Sequence, residues 1–190
     1  MDQSKLALFT LLGQSAQKIA VNTDASAAST SIEIGGTYDL SVQLPQIAKR
    51  AILASEDYRL FFVFEEYLRE LVFDTLTENQ TKEENEWWSL VSADIQAEVK
   101  KLEEAEEIKK WMSLNSRGKI FLLTLPQLLA IIDSNWKAHF KDIILDRSLI
   151  SQARLLVHLR NNICHMNVIS SEESNRIKQV MRDWFRAVAP

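Results

Sequence analysis

Apolar residues recur at three- and four-residue intervals along most of the chain, the spacing that lays one greasy stripe along an α-helix. The pattern predicts an amphipathic helix over residues 6–20 and a Ser/Ala/Thr-rich loop over 22–31. Between 32 and 44 the period changes to two. Ile32 and Ile34, then Leu40, Val42 and Leu44, alternate around Gly35-Gly36, and this predicts a small hairpin turning at the two glycines. Pro45 can open a short helix to about residue 54, and Ser55 is placed to cap another over 56–76. The stripe of that helix is Phe61, Phe64, Leu68, Leu71, Val72 and Thr75; Glu65 falls beside it and Glu66 points away.

Downstream, residues 84–112 read as one long helix or two in line, with Trp88, Val91, Ile95, Val99 and Leu102 inward. Trp87 and Trp88 could stack nucleobases, but helical spacing from Val91 makes Trp88 a core residue. A turn is expected at 115–118. Thr124 caps a helix that has Pro126 in its first turn and runs to about residue 132, and Trp136, Phe140 and Ile143 mark the next stripe. Asp146 caps a helix that continues to His165. Ser170 and Glu173 form a capping box for a last helix to about residue 188, with Ile177, Val180, Met181 and Trp184 inward.

The sum is an all-α bundle of antiparallel helices over residues 55–190, preceded by a small extension over 1–54. With 190 residues, 46% of them hydrophobic, the chain can build a full core, and four Gly and three Pro leave few helix breakers. Cys164 is the single cysteine, so no internal disulfide forms, and His139, His158 and His165 lack metal-ligand spacing. Neither a metal nor another cofactor is expected. No run of about 18 apolar residues suits a membrane span. The apolar run at 6–12 follows Asp2 and a single Lys5 and continues into an amphipathic stretch, which argues against a secretory signal. The expected setting is cytoplasmic, with no membrane partner.

Charge changes the picture by region. The formal net charge is -4, yet residues 56–107 carry 16 acidic against 5 basic side chains, while 147–190 carry 7 basic against 3 acidic. The basic end can meet RNA while the acidic flank repels it and offers a surface to a protein partner. Segregated solvated helix faces would give the same count.

The basic end also holds the chain's most capable chemistry. Wound at about 100° per residue, Arg147, Ser151, Arg154, His158, Asn161 and His165 form one polar stripe. The opposite arc holds Leu149, Ala153, Leu156, Val157, Ile163 and Cys164, with Arg160 at its centre, where an aliphatic is expected. Two readings fit. Arg160 is a buried structural arginine paired to a carboxylate, with Glu65 the candidate partner and a Glu65–Arg69 i,i+4 pair the competing use of that carboxylate. Alternatively Arg160 clamps phosphate charge while His165 carries a proton and Asn161 orients it.

Arg160, Asn161 and His165 resemble the signature of the HEPN superfamily, an Arg, a polar residue, a short gap and a His near the end of a core helix. The stretch from Phe61 to Leu71, the Trp87-Trp88 pair, and Leu123-Thr124-Leu125 leading to Asn135-Trp136 extend the resemblance over roughly residues 56–186. It is similar to the HEPN domain attached to a nuclear-pore-linked RNA-surveillance endonuclease and to bacterial stand-alone relatives. The resemblance implies a homodimer with the Arg160–His165 helix at its two-fold interface, and metal-independent cutting of single-stranded RNA by 2′-hydroxyl attack. In that role Arg160, Asn161 and His165 are catalytic, and Arg147, Arg154, His158 and Asn162 contact substrate. Met166-Asn167 stands where HEPN toxins silenced by nucleotidylation carry a tyrosine, so no adenylylating partner is implied. The competing expectation is a non-catalytic HEPN-like module that dimerises or binds RNA or protein. A third is one domain of a longer defence or surveillance protein whose other part selects the target.

Overall fold

A computed structural model of the protein describes residues 31–34, 39–77, 87–108 and 118–188. The helix expected over 6–20, the loop over 22–30 and the glycine turn lie outside the described residues. The chain divides into two compact units, Met1–Glu56 and Asp57–Pro190.

In the first unit the expected hairpin reduces to an isolated bridge between Glu33 and Asp39. Asp39 is the reason. Its Oδ1 accepts from the Ser41 amide at 2.7 Å, an N-cap that turns the chain into α1, Leu40–Gln43, just where the alternating pattern called for a strand. A second expectation is also corrected. Pro45–Thr77 is one uninterrupted helix, α2, with no break at Ser55. No Gly or second Pro interrupts it, and the Ser55 hydroxyl donates back to the Ile52 carbonyl at 2.7 Å, so the side chain is satisfied within the helix and caps nothing.

The second unit is an all-α bundle. A 3₁₀ turn, Trp87–Leu90, precedes α3, Ala93–Ile108; a second 3₁₀ turn, Lys119–Leu122, precedes α4, Leu125–Ser134. A π-helical turn, Trp136–Phe140, leads to α5, Ser148–Cys164, and then α6, Ser171–Val188. Helix α5 packs against both α4 and α6. Residues 165–170 join α5 to α6, and so short a connection between packed helices makes them antiparallel.

The core follows the apolar stripes. Phe64, Leu68, Val72 and Leu76 of α2 are fully buried, as are Leu128, Leu129 and Ile132 of α4, Ala153 and Leu156 of α5, and Ile177 and Trp184 of α6. Phe64 meets Trp184 edge-on at 5.5 Å, locking α2 to α6. Each of these large side chains contributes about 1.5–3 kcal/mol by leaving water. The predicted caps hold the ends. Gln127 accepts from the Thr124 amide at 2.8 Å, and Ser170 accepts from the Glu173 amide at 3.2 Å. Asp146 accepts from the Ser148 amide at 2.8 Å but stands one residue ahead of the N-cap of α5, which is Arg147.

Several side chains depart from expectation. Trp87 enters the core, T-stacked on Phe73 at 5.8 Å, while Trp88 is half-buried with Lys119 over its ring. The 3₁₀ turn there rotates successive residues by a larger angle than an α-helix and exchanges which indole faces in. Leu102, expected inward, is exposed. No described helix is long and apolar enough to cross a membrane.

Candidate functional site

Glu65 follows Phe64 by one residue, so it leaves the apolar stripe of α2 by about 100° and stands at its edge. It is nonetheless almost fully buried. On α5, Arg160 lies between the buried Leu159 and Ile163, which turns its guanidinium toward α2. The two meet, with Arg160 Nη2 3.3 Å from Glu65 Oε2. The other carboxylate oxygen, Oε1, takes a charge-assisted hydrogen bond from Arg69 Nη2. The two uses of Glu65 expected as alternatives therefore coexist.

Arg69 and Arg160 are not equivalent. The Arg69 side chain is 12% exposed and donates also to Glu66 Oε1 at 2.6 Å and to the Leu123 carbonyl at 3.0 Å, tying α2 to the start of α4. Its buried Nε has no partner. Glu66, expected to point away, is turned inward by this contact. Arg160 is 27% exposed and, among the described residues, pairs with Glu65 alone.

These four charged groups line a cleft of about 230 Å³ whose other walls are Tyr58, Phe61, Phe62, Phe121, Ile163 and Cys164. Its formal charge is zero, two carboxylates against two guanidiniums. Tyr58 and Phe62, one turn apart on α2, are half exposed, and their ring centroids stand 6.5 Å apart. Cys164, expected on the buried arc, is exposed at the cleft. It occupies the end of α5, beyond the reach of the packed stripe.

The polar stripe of α5 lies elsewhere. His165 is its C-cap and is exposed; its amide donates to the Asn161 carbonyl at 2.9 Å. The five residues from Arg160 to His165 turn the helix by about 140° beyond one full turn. Within one chain, no hydrogen bond or ion pair among the described residues joins the two. His158 and Asn162 meet through Nε2 and the amide nitrogen at 3.3 Å. Met166 then adopts a left-handed φ of 64° that ends the helix.

Farther up α5, Arg147 and Arg154 converge on Asp133 at 2.7 and 2.8 Å. Hydrogen bonding from Arg147 first, and from Arg154, holds the Asp133 carboxyl below the usual range against the opposing effect of its burial. Both guanidiniums remain about half exposed. Arg154 lies six residues before Arg160, about 9 Å along the axis and about 240° around it, and it does not line the Arg160 cleft.

Within the described residues no group of three His, Cys, Asp or Glu side chains is arranged to hold a metal ion. The family model of Swt1-like HEPN domains matches residues 59–189, which takes in α2, the cleft and the whole Arg160–His165 stretch. The chain belongs to the Swt1-like HEPN family. No curated protein and no solved structure matches it. In this HEPN domain, reading the sequence brought Glu65, Arg160 and the polar stripe forward but passed over Asp133 and the open aromatics. Asp133 carries no pattern linking it to α5. Tyr58 and Phe62 did leave a signal, two aromatics at i,i+4 spacing off the apolar stripe.

Proposed function

We propose that the protein is an endoribonuclease that cuts single-stranded RNA by attack of the ribose 2′-hydroxyl on the adjacent phosphorus. HEPN membership supports a ribonuclease or nucleotide-binding role. The observation that carries the finer reading is the division of labour between two arginines. Arg69 fills the structural position, nearly buried and held by two carboxylates and a carbonyl, whereas Arg160 keeps one ionic contact among the described residues and an exposed edge beside a cleft. A guanidinium with free donors at a cleft is suited to phosphate.

Two copies of the chain, related by a two-fold axis along α5, would place the Arg160 and His165 of both in one composite site. The separation of Arg160 and His165 around the helix favours such a pairing, because one copy alone leaves them facing apart. The imidazole of one protomer takes the 2′ proton as the O2′–P bond forms. The P–O5′ bond breaks, and the imidazolium of its partner returns a proton to O5′. The products are a 2′,3′-cyclic phosphate and a 5′-hydroxyl. Imidazole suits both duties, since its unperturbed pKa of about 6.5 makes both forms available, and such proton transfer supplies roughly 10² to 10⁴ in rate. Arg160 stabilises charge on the non-bridging oxygens, Asn161 orients the imidazole or phosphate, and Asn162 and His158 contact the flanking nucleotide. Arg147 and Arg154, through their exposed halves, carry the strand beyond the site.

The test is cleavage by the purified protein and by Arg160→Ala and His165→Ala, each checked for fold and mass. Both variants are expected to remain dimeric and to lose cutting, and the 2′-deoxy version of the same oligonucleotide is expected to stay intact. A protein that binds RNA equally in all three forms and cuts in none supports the second reading, a non-catalytic dimerisation or binding module. Growth arrest on expression separates a toxin or defence role from a scaffold.

A further inference from the structure

We infer that the cleft beside Arg160 is a base-recognition subsite that takes guanine from the RNA strand; this rests on the ribonuclease reading for its substrate and on the cleft alone for its specificity. Three observations point there. The cleft, at about 230 Å³, is smaller than a site for a drug-sized ligand and suits one flat ring system. Its zero formal charge gives a phosphate no net attraction, so a neutral base is the better occupant, with the phosphate left to the exposed edge of Arg160. Its walls include Tyr58 and Phe62, which pair with each other and are 50% and 56% exposed, so about half of each ring surface stands open. Unpaired bases of single-stranded RNA are held by stacking on such rings and read on their Watson–Crick edge.

The choice among bases comes from the acids. Glu65 is committed on both oxygens, to Arg69 and to Arg160. Glu66 is committed on Oε1 alone, held by Arg69 at 2.6 Å, and Oε2 has no partner among the described residues. An ionised carboxylate is acceptor-only, and each oxygen takes more than one hydrogen bond. It therefore selects an edge that presents donors side by side. Guanine offers two, N1–H and the 2-amino group; adenine and cytosine each offer one amino group next to an acceptor, and uracil one imino N–H flanked by carbonyls. Arg69 fixes the Glu66 carboxylate in place, so the pair is formed before the base arrives and little ordering cost remains.

The experiment is calorimetric titration of the full chain with guanosine, adenosine, cytidine and uridine 5′-monophosphates, repeated with inosine 5′-monophosphate, which lacks the 2-amino donor, and with Glu66→Gln and Phe62→Ala. Cleavage sites are mapped in parallel on a mixed-sequence RNA. The guanine nucleotide is expected to bind about 10- to 100-fold tighter than the others and than inosine, the worth of a hydrogen bond to a charged group. Glu66→Gln is expected to erase that preference, and Phe62→Ala to weaken all bases. Guanine-selective binding without RNA cleavage upholds the subsite and overturns the ribonuclease reading. Cleavage with equal affinity for all four nucleotides overturns the subsite and leaves the ribonuclease reading intact. A Phe62→Ala protein that changes from dimer to monomer with unaltered nucleotide binding also overturns it, and assigns the aromatic wall to the contact between copies.

Discussion

Replacing Glu65 by Gln separates the structural from the functional arginine. The substitution keeps the shape and removes the charge that Arg69 and Arg160 share. Breaking a buried pair ordinarily costs about 3–5 kcal/mol because an uncompensated charge remains. Here Arg69 retains Glu66 at 2.6 Å and the Leu123 carbonyl at 3.0 Å, so the loss should fall to about 1–3 kcal/mol. Double-mutant cycles apportion it. With Arg69→Met the coupling to Glu65 should reach about 1–3 kcal/mol, because both side chains are nearly buried. With Arg160→Met it should stay below about 1 kcal/mol, because the contact is 3.3 Å and Arg160 is partly exposed. Urea denaturation of the four proteins in each cycle measures both values. A Glu65–Arg160 coupling equal to or larger than the Glu65–Arg69 coupling would refute the division of labour and return Arg160 to a structural role.

Other consequences are more local. Phe64→Ala removes a fully buried ring from between α2 and Trp184 and should cost about 3–5 kcal/mol by chemical denaturation. His165→Ala, at an exposed imidazole with no side-chain partner among the described residues, should leave the unfolding free energy within about 0.5 kcal/mol of the parent, so that any loss of activity is chemical. The folded state holds the Asp133 carboxyl below its unfolded value, so the stability it gives is present above about pH 4 and is lost as pH falls through the folded value. Asp133→Asn should accordingly flatten the acid limb of a stability–pH curve, and an unchanged limb would show that Arg147 and Arg154 do not hold it.

Helices were legible where one face is buried and the ends are capped by side chains close in sequence. Phe64 through Leu76, the Thr124–Gln127 and Ser170–Glu173 caps, and the Ile177, Met181 and Trp184 face all obey local spacing. The hairpin was not, because a single Asp39 side chain turned an alternating stretch into a helical turn. Ser55 misled for the opposite reason, since a serine hydroxyl can satisfy itself inside a helix as well as cap one. At the site, the Glu65–Arg160 contact could be anticipated from two charges placed at the edges of apolar stripes. The Glu65–Arg69 and Glu66–Arg69 pairs lie within α2 at i,i+4 and i,i+3 spacing, the first of them legible in the sequence. By contrast, the sharing of Glu65 between Arg69 and Arg160 and the anchoring of Arg147 and Arg154 by Asp133 depend on how separate helices approach each other. Periodicity carries no information on that approach.

The central claim is that Arg160 and His165 cut RNA through the 2′-hydroxyl. Its most direct test is end-group analysis of fragments from a mixed single-stranded RNA incubated with the protein in excess EDTA, beside His165→Ala. The account predicts 2′,3′-cyclic phosphate and 5′-hydroxyl ends that vanish in the variant. Intact RNA from a folded, dimeric protein, or fragments ending in 3′-hydroxyl and 5′-phosphate, would contradict it.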